Sequence, residues 1–228
     1  MISKPITGFV LAGGQSRRMG RDKAAIEWGR ETLLTHGLKR MRDAFPEVII
    51  LGRSSPDFSR NLRDEFANSG PLAGIHSGLR HSKTDWNFFL AVDMPLVPTT
   101  LLQFIASKCG PSYLAVVPEA PVSDLDVPDL ESRTASNGRT RRLQPVCAAY
   151  HRRLLPVLER ALSNRELSIQ RLLEQTAQGI MGTQPNAIRV VEHHELTSAG
   201  FSSEMLMNVN MPADLERAKG LAERFHVN

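Results

Sequence analysis

Gly8-Phe9-Val10-Leu11-Ala12-Gly13-Gly14-Gln15-Ser16-Arg17-Arg18-Met19-Gly20-Arg21-Asp22-Lys23 joins a short apolar run to a loop of glycines and cations. The run from Gly8 to Ala12 predicts a buried strand, and Gly13-Gly14 marks its end. Glycines after a buried strand let backbone N–H groups come close to a ligand. Arg17, Arg18, Arg21 and Lys23 add cationic donors, which is the chemistry of a polyphosphate cradle. It is not a Walker A loop, because Gly20 is followed by Arg-Asp-Lys, and no G-x-G-x-x-G is present. The plain alternative is a solvated basic turn.

Outward from this loop the chain alternates between helical and strand patterns. Leu34, Leu38, Met41 and Phe45 recur at the spacing of one helix face, closed by Pro46. Val48-Ile49-Ile50-Leu51 and Phe88-Phe89-Leu90-Ala91-Val92 read as buried strands, the second stopped by Asp93-Met94-Pro95. Between them, Gly70-Pro71-Leu72-Ala73-Gly74 opens a short helix through Leu79. Further strands are expected at Tyr113 to Val117, Pro145 to Tyr150 and Ile188 to Val191. Helices are expected at Leu154 to Leu162, at Ile169 to Thr176, and along Leu215, Ala218, Ala222 and Phe225 after Pro212. Such alternation predicts an α/β fold, a mostly parallel sheet with helices on both faces. Glu119 to Leu143 holds Pro121 and Pro128 and has no period, so a functional or mobile loop is expected at about 119–143. No repeat or linker divides the chain, and residues 1–228 read as one domain.

Composition narrows the function classes. The 228 residues are 41% hydrophobic and 23% charged, enough for a substantial core without staples. The net charge of +4 is too small to indicate a nucleic-acid protein, but it suits a small anionic substrate. Cys109 and Cys147 cannot build a disulfide framework. The apolar runs are far shorter than the roughly 20 residues of a membrane span. Ser16-Arg17-Arg18 follows its apolar stretch, whereas an export signal places the arginine pair first. The expectation is a cytoplasmic protein with no leader.

Asp93 is the second candidate. It follows a buried strand, and ligands of open α/β sheets bind beyond the carboxyl ends of strands. A lone carboxylate there suits magnesium, which completes its shell with water and substrate phosphate. The alternative is a turn residue before Pro95. His193-His194-Glu195 lacks the spacing of a zinc helix and reads as a surface turn. Cys147 reads as a small core residue. Arg139, Arg141 and Arg142 form a basic cluster that either grips a phosphate or is simply solvated.

The opening loop, Gly70-Pro71-Leu72-Ala73-Gly74-Ile75, Asp93-Met94-Pro95, Gln144-Pro145-Val146-Cys147-Ala148-Ala149-Tyr150 and Asn208-Val209-Asn210-Met211-Pro212 occur in this order. Together they resemble the molybdenum cofactor guanylyltransferases, the MobA-like branch of the nucleotidyltransferases. The resemblance implies a Rossmann-like, three-layer α/β/α nucleotidyltransferase fold that joins GTP to molybdopterin and releases pyrophosphate. On matching positions it implies that Leu11, Ala12, Gly13 and Gly14 hold the guanine and ribose, with Asp64 helping to fix the nucleoside. Arg18 and Lys23 would bind the triphosphate, Asp93 the magnesium, and Asn208 and Asn210 the cofactor phosphate, with Arg139 nearby. Proteins that supply or receive the cofactor are further possible partners. Cytidylyltransferase relatives carry Leu-Ala-Ala-Gly, so Gly13 points to guanine, on the argument that a missing Cβ widens the pocket. Gly52-Arg53 departs from the family, which often has an asparagine there, and the 119–143 segment lies where the pterin is expected. A cytidylyl or sugar-phosphate transferase and a non-catalytic nucleotide-binding module are the alternatives, separable by base preference and by magnesium-dependent pyrophosphate release.

Overall fold

A computed structural model describes residues 5–13, 22–52, 61–62, 69–121, 133–134 and 140–225. The opening apolar run forms β1 (Ile6–Leu11), all six residues of it buried. A 3₁₀ turn at Lys23–Ala25 leads into a small hairpin, β2 (Glu27–Trp28) and β3 (Glu31–Thr32). Helix α1 (Leu33–Ala44) follows, its N-terminus capped by the Thr32 hydroxyl, which accepts from the Thr35 N–H. Next come β4 (Glu47–Leu51), β5 (Asn61–Leu62), α2 (Gly70–His81), β6 (Trp86–Ala91) and α3 (Thr99–Ser107). The second half contains β7 (Ala115–Pro121), β8 (Arg133–Thr134), β9 (Thr140–Leu143), β10 (Cys147–His151), α4 (Leu155–Ser163) and α5 (Ile169–Ala177). It closes with β11 (Ile188–Val191), α6 (His193–Ser198) and α7 (Pro212–Phe225).

Among the described residues nine strands form one sheet, ordered β5-β4-β1-β6-β10-β7-β9-β8, with β11 also paired to β7. Strands β5, β4, β1 and β6 run parallel, and β10 enters antiparallel between β6 and β7. Alternating side chains divide the core into two layers, as a sheet covered on both faces requires. Val10 faces α1 and α3 with Leu38, Met41, Leu101 and Ile105. Phe9 and Leu11 face the other layer with Leu72 and Ile75 of α2 and Leu158 of α4. The three-layer α/β architecture expected from the alternation is therefore present. No helix among the described residues is long and apolar enough to cross a membrane.

Two expectations change. The 119–143 segment is not loop throughout, because β7 runs on to Pro121 and pairs antiparallel with β9 across Glu119↔Leu143. Edge pairing of polar residues leaves little hydrophobic period to read. His193-His194-Glu195 is the first turn of α6 rather than a surface turn, closed by a capping box between Glu192 and Glu195.

The register sets up the site. Leu11 aligns with both Leu51 and Ala91, so three parallel strands end at one level. Because β10 is antiparallel, its entry segment arrives at that same edge, and the Ala91 N–H donates to the Val146 carbonyl at 2.8 Å. Buried Tyr150 fixes this entry by donating its hydroxyl to the Pro145 carbonyl at 2.7 Å. Tyr150→Phe leaves that carbonyl buried without its donor and should cost about 1–3 kcal/mol, read as a lower urea midpoint at unchanged slope. An unchanged midpoint would remove this bond from the account.

Candidate active site

Beyond the aligned strand ends lies a cleft of about 840 Å³. It is lined by Leu11 at the end of β1 with Ala12 and Gly13 after it, Leu51 at the end of β4 with Gly52, and Ala91 at the end of β6 with Val92 and Asp93. The ends are laced together by the Ala12 N–H to the Leu51 carbonyl at 3.0 Å and the Val92 N–H to the Leu11 carbonyl at 3.1 Å. One wall is the first turn of α2, Ser69 to Pro71, which aims the positive end of that helix at the opening. Arg142, Gln144 and Gln170 also line the cleft. Gln144 donates to the Leu206 carbonyl at 2.8 Å, fastening this part of the lining to the segment that carries Asn208.

Lys23 links two parts of the chain at the cleft. Its Nζ donates to Asp93 Oδ2 at 2.6 Å and to Asn210 Oδ1 at 2.7 Å. Both members of the ion pair are largely withdrawn from water, with side-chain exposures of 20% and 16%. The Val209 N–H donates to the Asp93 carbonyl at 2.8 Å, so the Asn208–Asn210 segment is pinned directly to the Asp93 turn. Two of the three ammonium donors are engaged within the described residues, and the third is available to a phosphate.

Of the residues expected at the site, Leu11, Ala12, Gly13, Lys23, Asp93 and Asn208 line one cleft, and Asn210 reaches it through Lys23. Gly14, Arg18, Asp64 and Arg139 lie outside the described residues. Arg142, from the same basic cluster as Arg139, is exposed and lines the cleft.

The structure revises the reason for Gly13. A Cβ built there would stand 2.9 Å from the Gly52 Cα, and one on Gly52 would stand 2.6 Å from the Gly13 Cα. The space a side chain would take at Gly13 is already filled by the end of β4. Glycine here allows two strand ends to touch rather than enlarging a purine pocket. The same contact accounts for the glycine at position 52, which also lies at φ +80°, while Arg53 lies outside the described residues.

Magnesium is compatible with these donors. No group of three or more His, Cys, Asp or Glu able to hold a metal occurs among the described residues, so there is no all-protein cage among them. Asp93 instead offers one hard carboxylate, with the amide oxygen of Asn210 beside it across Lys23, and magnesium needs only one or two carboxylates when phosphates complete its shell. Neither thiol is poised as a nucleophile. Burial pushes Cys109 up to about 12 and raises Cys147 as well.

Sequence reasoning passed over His36 and Arg40, which are buried at 2% and 8% exposure behind the Asp93 turn. Both contact the Pro95 carbonyl, His36 Nε2 at 3.1 Å and Arg40 through its guanidinium. Burial lowers the pKa of His36, with a further push from Arg40, and burial brings Arg40 down to about 10. The available signal was a polar i, i+4 pair beside the apolar stripe of α1.

The pattern of the MobA-like NTP transferase domain matches residues 8–180. A probable molybdenum cofactor guanylyltransferase from Carboxydothermus hydrogenoformans is 28% identical over 215 residues, covering 93% of this chain and 94% of the relative. A molybdenum cofactor guanylyltransferase from Vibrio parahaemolyticus is 32% identical over 166 residues, 70% of this chain and 75% of that one. In fold, the chain resembles molybdopterin-guanine dinucleotide biosynthesis protein A from Archaeoglobus fulgidus, with a TM-score of 0.69 at 22% identity, covering 96% of this chain and 100% of that structure. A strand-end cleft crossed by Lys23, Asp93 and Asn210 thus lies in a chain whose matched pattern runs through most of its length, and the chain belongs to the MobA-like NTP transferase family.

Proposed function

We propose that this protein is a molybdenum cofactor guanylyltransferase, moving GMP from GTP to molybdopterin and releasing pyrophosphate. The observation that carries the reading is the Lys23 bridge between Asp93 and Asn210 at the strand-end cleft. It supports the reading because it gathers a cation, a carboxylate and an amide at a cleft that a triphosphate over Leu11–Gly13 and a second anionic substrate would share. The relatives' shared name supplies the identity of both substrates.

In this reading Leu11, Ala12, Gly13 and Gly14 receive the guanine and ribose, and Asp64 assists. Lys23 and Arg18 balance the triphosphate, while Asn208, Asn210 and Arg139 face the acceptor. A phosphate oxygen of molybdopterin attacks the α-phosphorus in line. The bond to the bridging oxygen breaks, and pyrophosphate leaves with that electron pair. Positioning and charge neutralisation suffice, without a covalent enzyme intermediate. Magnesium held by Asp93 would supply Lewis-acid screening between the two anions. Lys23 contributes its remaining donor to the departing phosphates, and Asp93 and Asn210 hold its ammonium in place meanwhile. The reaction is placed in the cytoplasm, with proteins that supply molybdopterin and receive the product as further partners.

Calorimetry with GTP, CTP, ATP and UTP in magnesium tests the nucleotide half of this proposal. GTP should bind at least about tenfold more tightly than CTP, a difference of roughly 1.4 kcal/mol. Adding molybdopterin should then release pyrophosphate. A preference for CTP would move the chain to cytidylyl transfer, and no nucleotide binding would leave a non-catalytic module.

A further inference from the structure

We propose that Arg40, assisted by His36, is a positioning residue that holds the Asp93 turn in place from behind by gripping the Pro95 carbonyl. The inference rests on the role of Asp93 proposed above.

Pro95 is buried, as are its chain neighbours Met94 at 2% and Leu96 and Val97 at 0% exposure. A buried carbonyl needs a donor, but one neutral group would satisfy it. Here the donors are a guanidinium and an imidazole from adjacent turns of α1. Burying an arginine costs more than an apolar residue of like size would, so its placement calls for a reason beyond packing.

The reason lies in what the turn carries. Pro95 is two residues beyond Asp93, and the Asp93 carbonyl is held by the Val209 N–H at 2.8 Å. The turn is therefore clamped at both ends, by α1 behind it and by the Asn208–Asn210 segment in front. The segment supplying Arg40 is also the one supplying Lys23. Lys23 opens the 3₁₀ turn, the Leu33 N–H returns to the Ile26 carbonyl at 2.9 Å, and α1 starts there. Residues 23–40 thus grip one turn twice, at the Asp93 carboxylate and at the Pro95 carbonyl.

Glu31 completes the arrangement. Its Oε1 lies 2.8 Å from His36 Nδ1, and Trp28 packs against the imidazole with ring centroids 5.6 Å apart. A neutral imidazole has one N–H and faces two acceptors, Glu31 and Pro95, so it serves one at a time. Arg40 carries donors throughout, which makes it the constant grip and His36 the auxiliary one.

The test compares the full-length wild type with Arg40→Met, Arg40→Lys and Asp93→Asn. Manganese serves as the probe for magnesium, and its binding in the presence of GTP is measured by calorimetry. GTP affinity without metal, guanylyl transfer rates and melting curves are recorded alongside. Arg40→Met should fold, keep metal-free GTP affinity, and weaken manganese binding by roughly 10–100-fold, the range seen when support behind a metal ligand is removed. Its kcat should fall by a similar factor with the acceptor KM unchanged, and Arg40→Lys should recover much of both. A role in packing alone would move the melting curve without this split. Folded Arg40→Met with wild-type manganese affinity and kcat would overturn the proposal. If Arg40→Met does not fold, Arg40→Gln is read by the same two quantities, with the same overturning result. A wild type that binds manganese with GTP but transfers nothing to molybdopterin refutes the function proposed above, and the manganese comparison then decides Arg40 alone. Absence of manganese binding with GTP in the wild type overturns both.

Discussion

Asp93→Asn should lower guanylyl transfer by roughly 10³-fold under the proposed mechanism, the several kcal/mol that a metal's charge would contribute to a phosphoryl transition state. The substitution keeps shape and keeps an oxygen for Lys23, but removes the anion. The Lys23–Asp93 pair is largely withdrawn from water, at 20% and 16% exposure, but the Asn amide oxygen keeps a hydrogen bond to Lys23, so the loss of fold stability should be about 1–3 kcal/mol. Stopped-flow transfer rates beside thermal melts measure both numbers. A rate within a few-fold of wild type would detach Asp93 from catalysis, whereas a large melting loss would make it a structural tie.

Gly52→Ala should damage fold and binding together. The φ of +80° already disfavours a side chain, at a cost of about 1–3 kcal/mol. The added Cβ would also meet Gly13 backbone at 2.6 Å, a contact that only movement of a strand end relieves. Gly13 lines the cleft, so GTP affinity should drop at least tenfold, or about 1.4 kcal/mol. Gly29→Ala is the control, because Gly29 has φ +61° but nothing within 4 Å of the Cβ position. It should lose stability from backbone strain alone and bind GTP normally. Equal GTP affinity in the Gly52 and Gly29 variants would show that the strand-end contact does not shape the cleft.

Some of this was legible in the sequence and some was not, for physical reasons. β1, β4 and β6 announce themselves because strands buried on both faces are nearly continuous apolar runs. α1 shows its stripe because only one of its faces is buried. The insertion of β10 between β6 and β7 cannot be read locally, since pairing partners lie far apart in the chain. β9, Thr140-Arg141-Arg142-Leu143, has the composition of a loop, and its pairing with β7 shows only in the structure. At the site, Lys23 and Asp93 were visible as residue types beside strand ends. The direction of the missing Gly13 Cβ was not, because sequence records that a side chain is absent without recording what fills its place. Arg40 escaped notice because a charge beside an apolar stripe usually marks the solvated flank of a helix.

The Lys23–Asn210 bond joins residues 187 positions apart, while Asp93 sits between them in the chain. During synthesis the glycine-rich strand end, the lysine and the aspartate all leave the ribosome long before the asparagine that completes their grouping. A nascent chain can lay down β1, β4 and β6 early, yet the Asp93 turn gains its clamp from Val209 only once more than a hundred further residues have been added. The grouping of Lys23, Asp93 and Asn210 is thus completed only after the strands that carry its first two members have been made.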